Sequence, residues 1–268
     1  MQSQSIASVP SSLGRSGLKR YASGLLRRAA PSLWQARAYR RYLTADYGER
    51  EIGFLTEVTP PDRWAVDVGV YEGFYTRRLA QLCRGVFGFE ANPESAAFCR
   101  AALGRMATIR HCALSDRRGT ATLRLPDTGA GEGSAALATM APTNDLGGRK
   151  VREIEVPAAR LDDFELPPVG FIKIDVEGHE EAVLRGAQAI IARDRPALMI
   201  EIEERHNPGG LARIFEALAG DGYRARCVVE GRLGDAPSVE DLAAQVAGEP
   251  DYINNFFFIP RERLSQVD

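Results

Sequence analysis

The chain has 268 residues, 44% of them hydrophobic and 26% charged, with a formal net charge of −2. Those proportions exclude a disordered or fibrous chain, and the length suffices to bury the core of one α/β domain. No apolar run reaches secretory or bilayer-spanning length. The four cysteines, Cys83, Cys99, Cys112 and Cys227, have no CxxC spacing, which excludes a thiol zinc or redox motif and fits a reducing cytoplasm.

Charge is distributed unevenly. Residues 1–45 carry Arg15, Lys19, Arg20, Arg27, Arg28, Arg37, Arg40 and Arg41 and no acid, a charge of +8 that leaves −10 on the remainder. An acidic body speaks against nucleic acid as the substrate, because phosphate binding needs a basic face. Within this extension Leu18, Tyr21 and Leu25, then Trp34, Ala38 and Tyr42, recur at helical spacing with arginines between them. Three readings stay open: packing on the domain or on a second subunit as a homo-oligomer, peripheral contact with an anionic membrane, or an organelle transit peptide. The Ser-rich first dozen residues read as disordered. Residues 46–268 form the expected main domain.

Along that domain, a helix is expected over Tyr47–Val58, stopped by Thr59-Pro60-Pro61, then a strand over Trp64–Val68. A helix after Gly73 runs to Cys83. The strand Val86–Glu90 feeds a helix from Asn92-Pro93, a cap and first turn, to Leu103. Strands follow over Ala107–Ala113 and Thr120–Leu125. Residues 126–150 are glycine-rich and read as a flexible loop, either a substrate-side lid or disorder. Glu153–Val156 pairs back on Thr120–Leu125 as a hairpin. Strands Gly170–Asp175 and Ala197–Ile202 flank a helix over Glu180–Ile191. A helix over Leu211–Leu218 and strands Gly222–Val229 and Asn255–Ile259 close the chain. Alternating strands and helices predict a mainly parallel sheet with helices on both faces and an antiparallel edge.

Two of these strands carry the chemistry. Trp64–Val68 ends in Asp67-x-Gly69-x-x-x-Gly73, and Val86–Glu90 ends in an acid 23 positions after Asp67. A glycine bend after one strand and an acid at the tip of the next make half of a nucleoside site. The middle glycine of a dinucleotide fingerprint is missing, and Asp67, expected to face the ligand, would repel a pyrophosphate. A cationic nucleoside fits better: S-adenosylmethionine has a sulfonium, an ammonium and a ribose diol that Glu90 can accept. Asp116, Asp175 and Glu201 fall near further strand ends. So many acids on one edge need a cation, and Asp175 with Glu201 is the best pair for Mg2+. His111, in an apolar strand pattern, reads as structural.

The runs Val-Asp-Val-Gly-x-x-x-Gly-x-Tyr-Thr, Gly-Phe-Glu-Ala-Asn-Pro, Ala-Leu-Ser-Asp-x-x-Gly, Ile-Lys-Ile-Asp-Val-Glu-Gly-His-Glu and Arg-Pro-Ala-Leu-Met-Ile-Glu resemble the FkbM-type family of S-adenosylmethionine-dependent methyltransferases over residues 62–260. The resemblance implies a class I, Rossmann-like methyltransferase fold. It also implies O-methylation of a hydroxyl on a sugar, glycan, glycolipid or secondary metabolite. The cofactor residues so assigned are Asp67, Gly69, Tyr71, Gly73, Glu90, Ala91, Asn92, Ala113, Leu114, Asp116 and Asp175. The chain departs from the family at Val70-Tyr71, where Ala-Asn is usual, which bears on how the methionine end is held. A hydroxyl acceptor needs a base, for which His179, His206 and Asp175 are the candidates, while Glu177 and Gly178 read as shaping a turn. The rivals are a nicotinamide-dependent oxidoreductase and a non-catalytic methyltransferase-like binding protein acting through its basic arm.

Overall fold

The structure, a computed structural model, describes residues 15–44, 49–127, 136–144, 146–245, 247, 249 and 252–266. The first strand, β1 (Trp64–Val68), leads through α4 (Phe74–Leu82) to β2 (Gly85–Glu90), and α5 (Pro93–Leu103) leads on to β3 (Thr108–His111). The chain then leaves this sheet for β4 (Ala113–Leu114), β5 (Gly119–Pro126) and β6 (Val151–Ala159), and returns as β7 (Val169–Ile174). After α6 (Glu180–Arg185) and α7 (Gln188–Asp194) come β8 (Ala197–Glu201), α8 (Gly210–Gly220), β9 (Tyr223–Val229), β10 (Arg232–Asp235), α9 (Val239–Ala243) and β11 (Asn255–Pro260).

Eight strands form one sheet in the order β10-β9-β11-β8-β7-β1-β2-β3, and β4-β6-β5 form a second. The core strands β3, β2, β1, β7 and β8 are parallel, and β11 inserts antiparallel between β8 and β9. This is the Rossmann-like sheet that the resemblance implies. Strands covered on both faces read as continuous apolar runs, as every residue of β7 and β11 is buried. Strand order reverses at β1, between β2 and β7, which opens a crevice beyond the carboxyl ends. Register sets what lines it. Val68 pairs with Phe89 and with Ile174, and Ile174 pairs with Ile200. Gly69, Glu90, Asp175 and Glu201 therefore emerge level with one another.

Several boundaries differ from expectation. Tyr47 and Gly48 lie outside the described residues. The rest of the helix expected there is a 3-10 turn over Arg50–Gly53 and a four-residue helix, α3 (Leu55–Val58), with Phe54 between them. The strand expected over Ala107–Ala113 splits after His111, because β4 pairs with β6 and not with β2. The helix expected over Glu180–Ile191 breaks at Gly186. A β-carbon there would sit 2.0 Å from the Ser115 carbonyl oxygen, so only glycine fits where this helix ends. A further strand, β10, follows a two-residue turn at Glu230 and Gly231, both at positive φ, the geometry that suits strand twist in a hairpin.

The extension folds as two helices, α1 (Arg15–Ala29) and α2 (Pro31–Thr44). The Trp34 indole donates to Ser23 Oγ at 2.9 Å, tying α2 to α1, and meets Phe98 of α5 edge-on. Gln35, fully buried, donates to the carbonyls of Gly73 (3.1 Å) and Glu72 (3.3 Å) and accepts from Arg77. Among the described residues no helix is long and apolar enough to cross a membrane, and all four cysteines are free.

Candidate functional site

At the crevice lies a cavity of about 290 Å3. Gly69 and Tyr71 of the β1–α4 loop form one side. Ala113, Leu114 and Leu123 of the small sheet, with Ala138 and Met140 of the following loop, form another. Val68 and Phe89 floor it, and Glu49, Glu90, Asp175, Glu177 and Glu201 bring carboxylates to its wall.

The β1–α4 loop is built around a close approach. A β-carbon on Gly69, at φ +84°, would stand 1.8 Å from the carbonyl oxygen of Asp175, so only glycine lets the loop cross the end of β7. Tyr71, also at positive φ, turns its amide to Glu90 Oε2 at 2.8 Å, while Asn92 N donates to Glu90 Oε1 at 2.8 Å. Two backbone donors thus fix the orientation of this carboxylate. Burial nevertheless pushes its pKa up to about 7 against those two hydrogen bonds.

Asp175 is held differently. Burial pulls its pKa upward, but the ammonium of Lys173, 2.7 Å away, and a hydrogen bond from Glu201 bring it below the ordinary value. Glu201 is pushed well up, by burial, then by the charge of Asp175 and the hydrogen bond between them. Asn254 donates to Glu201 Oε1 at 2.5 Å. Lys173 itself is buried on β7, with Nζ 4.7 Å from the centre of the Tyr75 ring, and Tyr75 OH donates to Glu49 Oε2 at 2.6 Å.

Glu177 stands at φ +56° on the turn after β7. Its Oε2 is buried without a hydrogen bond, although His206 Nδ1 lies 3.0 Å away. Burial, then the charges of Asp175 and Glu203, push its pKa up to about 8. Burial also holds His206 below its ordinary value. The loop across the mouth is pinned to this pair. Thr139 Oγ1 (2.6 Å) and Asn144 Nδ2 (2.9 Å) donate to the Glu177 carbonyl, and Thr143 Oγ1 donates to the His206 carbonyl at 3.1 Å. Of the loop expected to be flexible, residues 128–135 and 145 lie outside the described residues; the rest is anchored.

The profile of the methyltransferase FkbM domain matches residues 67–225, more than half the chain. The chain belongs to the FkbM methyltransferase family. No curated protein matches it in sequence. Among solved structures it is similar to an FkbM methyltransferase from Methylobacillus flagellatus KT, at 16% identity and a TM-score of 0.48, over 90% of this chain and 58% of that one. The chain thus spans less than two thirds of that protein's length. It is also similar to an O-methyltransferase from Bacillus cereus determined with SAH, at 12% identity and a TM-score of 0.44, over 89% of this chain and 96% of that one. A TehB-like methyltransferase from Corynebacterium glutamicum matches at 11% identity and a TM-score of 0.42, over 86% and 96% of the two chains.

Within this FkbM domain the cavity brings together Gly69, Tyr71, Glu90, Ala91, Ala113, Leu114, Asp175 and Glu201 of the residues named from sequence. Others stand off its wall. Asp67, expected to face a ligand, is fully buried: its Oδ2 accepts from Thr76 Oγ1 of α4, because alternation along β1 turns it under the loop. Its pKa rises to about 6 through burial. Asn92 caps α5 by accepting from Glu94 N, and Gly73 precedes the first residue of α4. Asp116 pairs with Arg185 and Arg117 toward solvent. His179 precedes α6 with Nε2 2.9 Å from Ser115 Oγ, while His206 stands behind Glu177.

Three residues escaped the sequence reading. Glu177 passed for a turn former, and Glu49 had no strand end to mark it. Lys173 carried a usable signal, a lysine inside the apolar run Phe171-Ile-Lys-Ile174, which demands a buried anion nearby.

Proposed function

We propose that the protein transfers a methyl group from S-adenosylmethionine to a hydroxyl oxygen of a sugar-bearing acceptor, a glycan, glycolipid or related metabolite. The observation that carries this reading is the Glu90 carboxylate on the cavity wall beside the Gly69 bend, oriented by two amides as a ribose diol requires. The residues fit the cofactor. Phe89, Ala113, Leu114 and Leu123 offer an apolar slot for a planar base, and Gly69 allows close approach of the backbone. Asp175 supplies negative charge for an ammonium. When bound, the cofactor supplies an already activated methyl, so the protein's work is alignment and exclusion of water.

The chain's own residues divide that work. Glu177, on the cavity wall with a raised pKa, takes the acceptor proton, and His206, 3.0 Å from its buried Oε2, stands behind it to stabilise the charge. His179, bonded to Ser115 and off the wall, positions the β4–β5 connection instead. The ligand atoms of Asp175, Glu177 and Glu201 lie within 4.8 Å of one another and would suit a hard cation such as Mg2+. Such an ion has to compete with Lys173, which already pairs with Asp175. Free cysteines accord with a reducing cytoplasm.

The experiment pairs thermal shift with turnover. S-adenosylhomocysteine at about 100 times its dissociation constant stabilises the fold by roughly 2.7 kcal/mol. Methyl transfer to a panel of glycans and glycolipids, with and without chelator, identifies acceptor class and metal dependence. A shift with NAD and none with S-adenosylhomocysteine overturns the reading. On the active acceptor, kcat rises with pH through about 8 and Glu177→Gln lowers it roughly 100-fold while flattening the profile. An unchanged profile in that variant removes Glu177 from the role.

A further inference from the structure

Three of the four large hydrophobic side chains exposed among the described residues, Leu25, Leu33 and Leu43, lie on α1 and α2. Lys19, Arg28, Arg37, Arg40 and Arg41 are exposed on the same two helices, and residues 1–45 contain no acid. The inner face of α2 is already used: Trp34, Gln35, Ala38 and Tyr39 are buried. What faces outward is therefore a preformed plate, anchored to the domain through α4 and α5. At 100° per residue, Leu33, Arg37 and Arg40 share one arc of α2, with Arg41 and Leu43 flanking it.

We propose that this outer face docks the protein onto an anionic lipid bilayer. Charge complementarity selects the occupant. Each basic residue near such a surface strengthens binding about fivefold. Leucines interleaved with arginines reach the headgroup and acyl boundary, for which a nucleic acid backbone has no counterpart. A second copy meeting the face across a two-fold axis would set arginine against arginine. The helix that carries the plate ends near the cavity. Thr44 ends α2 five positions before Glu49, which lines the cavity, and on the inner face of α2 Tyr42 OH accepts from Glu49 N at 3.3 Å. Docking through α2 favours a membrane-borne glycolipid hydroxyl as acceptor. That last step rests on the methyl-transfer reading above; the docking does not.

The test is co-sedimentation of the full chain with phosphatidylcholine vesicles, pure or mixed with phosphatidylglycerol. Binding to the anionic vesicles at low salt, falling steeply as salt is added, is expected. Arg37→Glu with Arg40→Glu should lower the affinity about 25-fold or more, and Leu33→Ser roughly tenfold. Both variants keep the thermal shift with S-adenosylhomocysteine, which shows that fold and cavity are intact. No binding to anionic vesicles, or equal binding by the charge-reversed variant, overturns the proposal. So does a dimer in sedimentation velocity that the same substitutions dissociate while vesicles go unbound. Vesicle binding without methyl transfer to any glycolipid upholds the docking and counts against the acceptor alone.

Discussion

A lysine buried in the middle of a parallel strand costs several kcal/mol unless an anion stands beside it. Lys173 meets that condition with Asp175, whose charge in turn raises the neighbouring Glu201. Replacing Lys173 with Met leaves the Asp175 charge uncompensated. Because the Asp175 side chain keeps 27% exposure, the loss in urea unfolding is expected at the lower end of the range, about 3 kcal/mol, and Asp175→Asn should recover part of it. Glu90 holds the loop with both oxygens, one on each backbone amide. Glu90→Gln is expected to weaken S-adenosylhomocysteine binding by about 10- to 100-fold, the worth of a charge-assisted hydrogen bond, and, because one amide loses its acceptor, to lower stability by roughly 1–3 kcal/mol. Calorimetric titration measures it, and unchanged affinity removes Glu90 from the ribose.

At the scale of elements, the β1–α4 loop is held from both sides. Tyr71 N is bonded to Glu90 from within, and Gln35 of α2 grips the carbonyls of Glu72 and Gly73 from outside. The N-terminal helices are thereby part of that loop's support. Gln35→Ala frees the loop and leaves polar groups unsatisfied, which costs roughly 1–3 kcal/mol. We expect both the melting temperature and the affinity for S-adenosylhomocysteine to fall, the affinity about tenfold. A fall in melting temperature alone would confine Gln35 to packing. Most elements here were legible in sequence, since apolar runs of strand length alternate with capped helices. The breaks were not. Nothing local in Glu180–Ile191 reveals that Ser115, far away in sequence, occupies the space beside Gly186. Nothing local in Ala107–Ala113 reveals that its end pairs with β6.

For the whole molecule, the acids gathered at one sheet edge couple stability to pH. Burial raises Asp67 to about 6, Glu90 and Glu180 to about 7, and Glu177 to about 8. Unfolded carboxyls titrate near about 4, so above that pH the folded protein holds protons that the unfolded chain has released. Stability therefore falls as pH rises through these values. His179 and His206, lowered by burial, oppose this up to about pH 6.5, above which both states carry them neutral. The decline is clearest between about pH 6.5 and 8. Melting temperatures across that window check it, and a rise there would contradict the burial of these acids.

Sequence by itself determined the alternation of strands and helices, and hence the sheet and the edge where the cavity opens. It also marked Gly69, Glu90 and Asp175, because strand ends, glycine bends and acids are local patterns read from neighbours in the chain. It named a family that the domain match shows. Tertiary structure alone decided which acids reach the cavity and which charges they keep. Asp67 turned under the loop and Glu177 into the cavity, since burial and side-chain direction depend on partners distant in sequence. It also separated the two faces of the basic extension, because only packing against α4 and α5 shows which residues of α2 are left outside.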